Sequence, residues 1–291
     1  LEMRDLLLDH RQFTQAWGLE TPAFLLAVDD GIRVRTQEGA ETASHVDHTL
    51  ASLAEAGVPL DFPVITPEGE RPLRTLLEQS LRDFSLNQLE YEWSALAYAL
   101  YAPQSTPWLS SEGQEITFDR LADRLMRQRL RQGVCRGNHR LHALVMLLRV
   151  DDETKILGDD CRVRVVAYLQ DVTRRFVASQ NAEGFWDETW PGDERDGGQQ
   201  ADDSPTERLA NRLLVTGHVL EWWSLAPAEV QPPPQTLVKA GRWLVKAIDE
   251  LTPGQVSAYY TYLTHAGRAL AVWRGRFPAE FASPASSPEA L

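Results

Sequence analysis

Long apolar runs are missing from this chain. No stretch of about 18 consecutive hydrophobic residues occurs in it, so no segment meets the requirement for a membrane-spanning helix. Cysteine is scarce: Cys135 and Cys161 are the only two, too few for a disulfide framework, which leaves the redox compartment, cytoplasmic or periplasmic, open. Positive charge is in deficit, with 29 Lys and Arg against 42 Asp and Glu and a formal net charge of −13. Nucleic acid and anionic membrane are polyanions and are therefore not expected as partners. The local basic run from Arg124 to Arg136 reads as the solvated face of a helix. A phosphate-binding glycine loop, a nucleophile elbow and a His-Glu-x-x-His pair are all lacking.

Apolar mass is plentiful: 43% of residues are hydrophobic and nine are tryptophan, enough for a substantial core in one large or two small domains. Periodicity predicts a short amphipathic helix over residues 4–17 and a β-hairpin over 24–35 around Asp29-Asp30-Gly31. From residue 45 onward the pattern is helix, turn, helix, with helices expected at 45–56, 73–84, 86–101, 118–132, 138–150, 162–180, 207–226, 235–250 and 256–273. Gly57-Val58-Pro59, Pro103 to Pro107, Gly133, Gly158, Pro227 and Pro232-Pro233-Pro234 punctuate them. The gap from Asp187 to Pro205 is rich in Asp, Gly and Gln and is long enough to be expected as a lid over a site, with Asp193, Glu194, Asp196, Asp202 and Asp203 solvated and Gly192, Gly197 and Gly198 as hinges. The tail from Ser283 is expected to be disordered.

The expected helices are of two kinds. Those at 86–101, 138–150, 207–226 and 256–273 are apolar around most of their circumference, whereas those at 73–84, 118–132 and 235–250 carry charge along one side. An inner ring covered on both faces and an outer ring half exposed would give that alternation. The fold class expected is therefore all-α, an α/α toroid of helical hairpins over 45–275, preceded by a helix and small β-hairpin appendage in 1–44 and followed by a flexible tail, 276–291.

Chemistry concentrates in Thr216-Gly217-His218-Val219-Leu220-Glu221-Trp222-Trp223. On a helix His218 and Glu221 share a face, and a carboxylate one turn from an imidazole fixes its tautomer while apolar surroundings tune both pKa values. His139 follows Asn138, read as an N-cap, and Cys135 just before it would feel the positive end of the helix dipole. Cys135, His139 and His218 are together a donor set that zinc accepts, so zinc is the candidate cofactor. His265, beside a tyrosine cluster, falls on a third apolar helix. His139, His218 and His265 would then meet in one lumen, with His45, His48, Glu90 and Glu92 as further candidates. The catalytic set expected is His218, Glu221, His139 and His265, acting by acid–base catalysis on a small, uncharged or apolar molecule. Oligomeric state is not legible.

Two family resemblances bear on this reading. Gln180-Asn181-Ala182-Glu183-Gly184-Phe185-Trp186 resembles the Gln-x-x-x-Gly-x-Trp motif of squalene cyclases and related terpenoid-cyclase and prenyltransferase toroids, in which Gly permits the turn, Gln caps backbone groups and Trp packs on the next helix. The elements Cys-x-Gly-x-His-Arg-Leu and Thr-Gly-His-x-x-Glu, with a late His, are also similar to uncharacterised bacterial toroid proteins, a likeness that implies a fold and no activity. Terpene chemistry would need acidic motifs that this chain lacks. Asp159-Asp160 and Asp202-Asp203 do not complete Asp-x-Asp-Asp, and Asp151-Asp152-Glu153-Thr154-Lys155 lacks the last acid of Asp-Asp-x-x-Asp. Gly217-His218-Val219-Leu220-Glu221-Trp222 is similar instead to the Gly-His-x-x-Glu element of sugar 2-epimerases and aldose–ketose isomerases. That resemblance implies proton transfer by His218 and Glu221, with His265 as the late histidine. A non-catalytic toroid that binds a peptide or lipid is the third alternative.

Overall fold

A computed structural model describes residues 3–36, 45–104, 107–130, 133–190 and 205–276. Most of them are helical, and the strands form three small antiparallel pairs. None of the described helices is long and apolar enough to cross a membrane. The expected lid, apart from its edges, and the expected tail beyond Arg276 lie outside the described residues. The chain divides into two compact units: residues 1–127 with 146–162, and residues 128–145 with 163–291.

In the first unit, helices α1 (Met3–Leu8) and α2 (His10–Trp17) replace the single helix expected over 4–17. The break falls at Asp9, whose backbone is extended and whose carboxylate accepts the Arg11 amide at 2.9 Å, capping α2. The Arg11 side chain, hydrogen-bonded to the same carboxylate, pulls the Asp9 pKa down to about 2. Leu6 and Phe13 lie two turns apart and keep the helical phase across Asp9, so periodicity does not locate the break.

Strands β1 (Leu25–Val28) and β2 (Gly31–Val34) form the expected hairpin, pairing Leu25 with Val34 and Val28 with Gly31. It packs on α4 (Arg74–Asp83), and Ile32 is fully buried. Two further hairpins escape the sequence reading: β3 (Pro63–Thr66) with β4 (Gly69–Pro72), and β5 (Trp108–Leu109) with β6 (Glu115–Ile116). Their strands have only two to four residues, too few for alternation to register.

Helix α3 (His48–Glu55) is preceded by Asp47 in a left-handed conformation (φ 58°). That backbone sends the Asp47 carboxylate away from its own helix. It accepts the Ser80 hydroxyl of α4 at 2.6 Å and the hydroxyls of Ser94 and, at 3.3 Å, Tyr98 of α5 (Glu92–Tyr101). One side chain thus ties three helices together. Desolvation raises the Asp47 pKa despite these hydrogen bonds. With a raised folded value, the proton held near pH 4 favours the folded state, and that stabilisation is lost as pH rises from the unfolded value of about 3.9 through the folded one. Asp47→Asn keeps an acceptor for Ser80 and carries no charge. Its melting temperature is expected to depend less on pH than that of the parent and to exceed it at pH 7. Parallel profiles for the two proteins would sink this account.

Helix α6 (Phe118–Arg127) precedes α7 (Asn138–Thr154) and α8 (Asp159–Ser179), and the boundary between the units falls inside α7 and α8. Within the first unit, Arg162 closes the α7–α8 turn by pairing with Asp151 at 2.8 Å and Asp152 at 2.7 Å. The second unit contains α9 (Pro205–Leu225), α10 (Pro234–Asp249), α11 (Pro253–Ala258) and α12 (Tyr260–Trp273). Here too one expected helix is two: Thr252 and Gln255 form a capping box at the start of α11, and Tyr259 separates it from α12.

The Gln180 to Trp186 segment joins three helices of this unit. Gln180 Nε2 donates to the carbonyls of Gly184 and Thr236, both at 3.0 Å. Gly184 has φ +117°, and a Cβ there would lie 2.5 Å from the Lys239 carbonyl oxygen, so α10 can approach only a glycine. Trp186 is 2% exposed; its indole donates to the Phe176 carbonyl of α8 at 2.8 Å, and its amide donates to the Thr216 hydroxyl of α9 at 3.0 Å. Thr216 is the residue before Gly217-His218, so this seam sets the height at which His218 is presented.

Candidate functional site

His218 and Glu221 lie one turn apart on α9, among the most buried residues of the second unit, at 2% and 3% exposure. Helix α12 lies along α9. The contact is close because of Gly217: a Cβ there would stand 2.8 Å from the Ala266 backbone nitrogen and 3.0 Å from its Cα. With the backbones at that distance, His265 and Arg268 of α12 reach Glu221. Its Oε2 accepts from Nδ1 of His218 at 3.1 Å and from Nδ1 of His265 at 3.1 Å, and its Oε1 accepts from Arg268 at 2.7 Å. An ionised carboxylate only accepts, so both Nδ1 atoms carry hydrogen and Nε2 of each ring lies on the far side.

His139, in the first turn of α7, completes the cluster. Its ring centroid is 4.5 Å from that of His218 and 5.4 Å from that of His265, and the His218 and His265 rings are 3.6 Å apart. The three histidines singled out in the sequence therefore meet. The Sγ of Cys135 joins them: one ligand atom from each of Cys135, His139 and His218 lies within 4.8 Å of the other two. His218, Glu221 and His265 make a second such triangle.

Burial, reinforced by the neighbouring imidazoles, holds His139 well below the usual histidine range, and the same causes bring His218 down to about 4. Both rings are neutral at pH 7. Burial alone would raise Glu221, but hydrogen bonds from the two histidines and the positive charge of Arg268 outweigh it and keep the carboxyl well below its ordinary value. The result is one fixed negative charge, one cation and imidazoles with basic nitrogens. The Nε2 of His218 is buried and has no hydrogen-bond partner among the described residues. His265 is the accessible member, with 24% of its side chain exposed.

The approach to His139 is strained. Cys135 (φ 48°, ψ 47°) and Arg136 (φ 60°, ψ 31°) are both left-handed, and Gly137 follows at φ +85°. Non-glycine residues in that region cost roughly 1–2 kcal/mol each, so the surrounding structure must impose it. Gly137 is irreplaceable there, since a Cβ would fall 2.0 Å from the Leu130 carbonyl oxygen. Arg140, buried, donates to the Arg129 carbonyl at 2.6 Å and lies against Gly133. Asn138 is not the N-cap expected: its backbone is already helical, and its Nδ2 donates to the Cys135 carbonyl at 3.0 Å. It braces the strained cysteine instead.

The other sequence candidates form a separate grouping, within the first unit. His45 hydrogen-bonds Glu90 through Nδ1 at 2.9 Å, and His48 packs against Trp93 with ring centroids 4.2 Å apart. Glu92 accepts the Tyr91 amide at the start of α5. Sequence reasoning missed Arg268, although its position three residues after His265 put it on the same helix face. It also missed the packing role of Gly217. Comparison of the chain with family models, with curated proteins and with solved structures gives no match.

Proposed function

We propose that the second unit carries an enzyme site for proton transfer, in which His265 is the acid–base group that meets substrate and Glu221 is the residue that orients it. The observation that supports this reading is the convergence of two imidazole Nδ1–H groups and an arginine on one buried carboxylate. Glu221 is thereby committed as an acceptor. That makes it a positioning residue and leaves Nε2 of His265, on the exposed member of the cluster, to take and return the proton.

The substrate class this favours is a small, uncharged, hydroxylated carbonyl compound of the sugar type. Polar groups crowd His218: Glu221, His265, His139 and Arg268. An isoprenoid would call for aromatic walls, and the nearby tryptophans are engaged in the core instead. Trp222 and Trp223 are fully buried, and the Trp223 indole donates to Thr173 at 3.0 Å. The chemistry proposed is single-base isomerisation or epimerisation. His265 removes a proton from the carbon beside the carbonyl and the electron pair passes to the carbonyl oxygen; His265, open to exchange with solvent, then returns a proton either to the carbonyl carbon, as the neighbouring hydroxyl proton passes to the former carbonyl oxygen, or to the opposite face of the first carbon once the enediolate has turned. A toroid of the terpenoid-cyclase and prenyltransferase kind remains part of the proposal, supported by the Gln180 to Trp186 seam. A purely binding role is disfavoured because His139, His218 and Glu221 meet rather than facing different layers.

The test is isotopic. Incubated in D2O with a panel of reducing sugars, the protein is expected to wash deuterium into at least one of them at the carbon next to the carbonyl. His265→Ala should slow the exchange at least about 100-fold, the contribution of a positioned acid–base group. No exchange with any sugar, or an undiminished rate in the variant, would remove the proposal.

A further inference from the structure

We propose that Cys135, His139 and His218 bind a single zinc ion, with Glu221 as the carboxylate that orients one of the ligands. The argument rests on four features. First, the donor types suit the ion: a thiolate and two imidazoles are a zinc set, and three protein ligands leave a fourth position for water or substrate. Second, the atoms are near one another, all within 4.8 Å. Tetrahedral zinc with ordinary bond lengths needs donors roughly 3.3–3.7 Å apart, so closure requires movements of about one ångström, which side-chain rotation supplies.

Third, His218 is arranged as metal-bound histidines are. Its Nδ1–H is tied to a carboxylate at 3.1 Å, and its Nε2 is buried with no hydrogen-bond partner among the described residues. A buried imidazole nitrogen without a partner is costly unless something occupies its lone pair, and the carboxylate–histidine pair is the usual support for a ligand. Fourth, the left-handed turn at Cys135 and Arg136 is strain located where a ligand is needed, braced by Asn138 from the side. An observed backbone outlier of this kind points to function.

The alternative triangle, His218, Glu221 and His265, is the weaker site. Its donors are already hydrogen-bonded to one another, and Arg268 at 2.7 Å from Glu221 places a positive charge against an incoming cation. His265 accordingly stays outside the metal's ligands. Binding replaces the Cys135 thiol proton, which is released to solvent. The ion would polarise the carbonyl oxygen on which the proposed proton transfer builds negative charge. Only that role rests on the proton-transfer reading; the binding itself does not.

The experiment is a metal titration of the whole chain after chelator treatment and dialysis. With Co2+ as probe, one equivalent per chain is expected to give the intense visible bands of a tetrahedral ion and a near-ultraviolet sulfur-to-cobalt charge-transfer band, both lost on adding one equivalent of Zn2+. Cys135→Ser should abolish the charge-transfer band, and His139→Ala should weaken binding at least tenfold, with circular dichroism confirming that each variant is folded. His265→Ala should keep both bands. Absence of cobalt bands in the parent protein, retention of the charge-transfer band in Cys135→Ser, or loss of binding in His265→Ala with retention in Cys135→Ser would each overturn the proposal. The deuterium exchange described above is independent of these readouts. Metal binding without exchange would leave the zinc site standing and the proton-transfer reading refuted; exchange by chelator-treated protein that takes up no cobalt would do the reverse.

Discussion

Glu221→Ala is expected to destabilise the protein by about 3–5 kcal/mol, the range for removing one partner of a buried ionic network. Three donors converge on this carboxylate, and the most buried of them fares badly without it. His218 is 2% exposed, so its Nδ1–H would be left unsatisfied in the interior. Arg268, with a third of its side chain exposed, can recover part of its hydration, which places the expected loss toward the lower end of the range. Glu221→Gln separates charge from shape. Because both imidazoles share Oε2, the amide keeps its oxygen for them only by turning its NH2 toward Arg268; turned the other way it faces both rings with a donor and forces them to change tautomer. It is expected to cost less stability than alanine while weakening cobalt binding by about 10–100-fold, as loss of a carboxylate behind a metal-bound histidine does. Urea unfolding of the metal-free proteins gives the first number and cobalt titration the second. An alanine variant within 1 kcal/mol of the parent would show that the carboxylate's burial cost cancels its bonds.

Trp186→Ala is expected to cost a comparable amount, about 3–5 kcal/mol, through a different mechanism. The indole packs between Phe176 and Trp223, with centroids 5.8 and 5.5 Å away, and no small side chain can refill that volume. The Phe176 carbonyl also loses its 2.8 Å donor. Trp186→Phe keeps most of the apolar surface but loses the N–H and part of the ring volume, so it should fall between, at about 1–3 kcal/mol. Urea unfolding resolves the two losses, and equal values for both variants would mean that the hydrogen bond, not the packing, carries the residue's contribution.

The longer helices, α4 to α10 and α12, were legible because each is ten or more residues of sustained periodicity. The breaks at Asp9 and Tyr259 were not, because apolar spacing continues across both and only the backbone geometry reveals them. In the site, histidine is rare enough in this chain, seven in all, that three of them on apolar helices stood out against the background. The partner of Glu221 at position 268 did not, since arginine on a helix is ordinarily a solvated residue and only the α9–α12 contact gives this one a role. Gly217 and Gly137 belong to the same class. What they permit is the approach of another backbone, and that neighbour is named only by the tertiary structure. The expected N-cap at Asn138 failed for a related reason: the turn before α7 is strained, and the side chain serves the strain rather than the helix end.

The separation of α12 from α11 at Tyr259 bears on which changes of chain length this site can absorb. His265 and Arg268 meet Glu221 only while both keep the same angular position on α12, and one added residue turns everything beyond it by about 100°. An insertion at the 258–259 junction can be taken up there, in backbone that is not helical, leaving the phase of α12 intact. The same insertion between His265 and Arg268 would swing either the arginine or the histidine off the carboxylate, and at Ala266 it would press a side chain into Gly217. The junction is thus a place where this chain can vary in length without the site being lost, while the four residues from His265 to Arg268 behave as a fixed-length gauge.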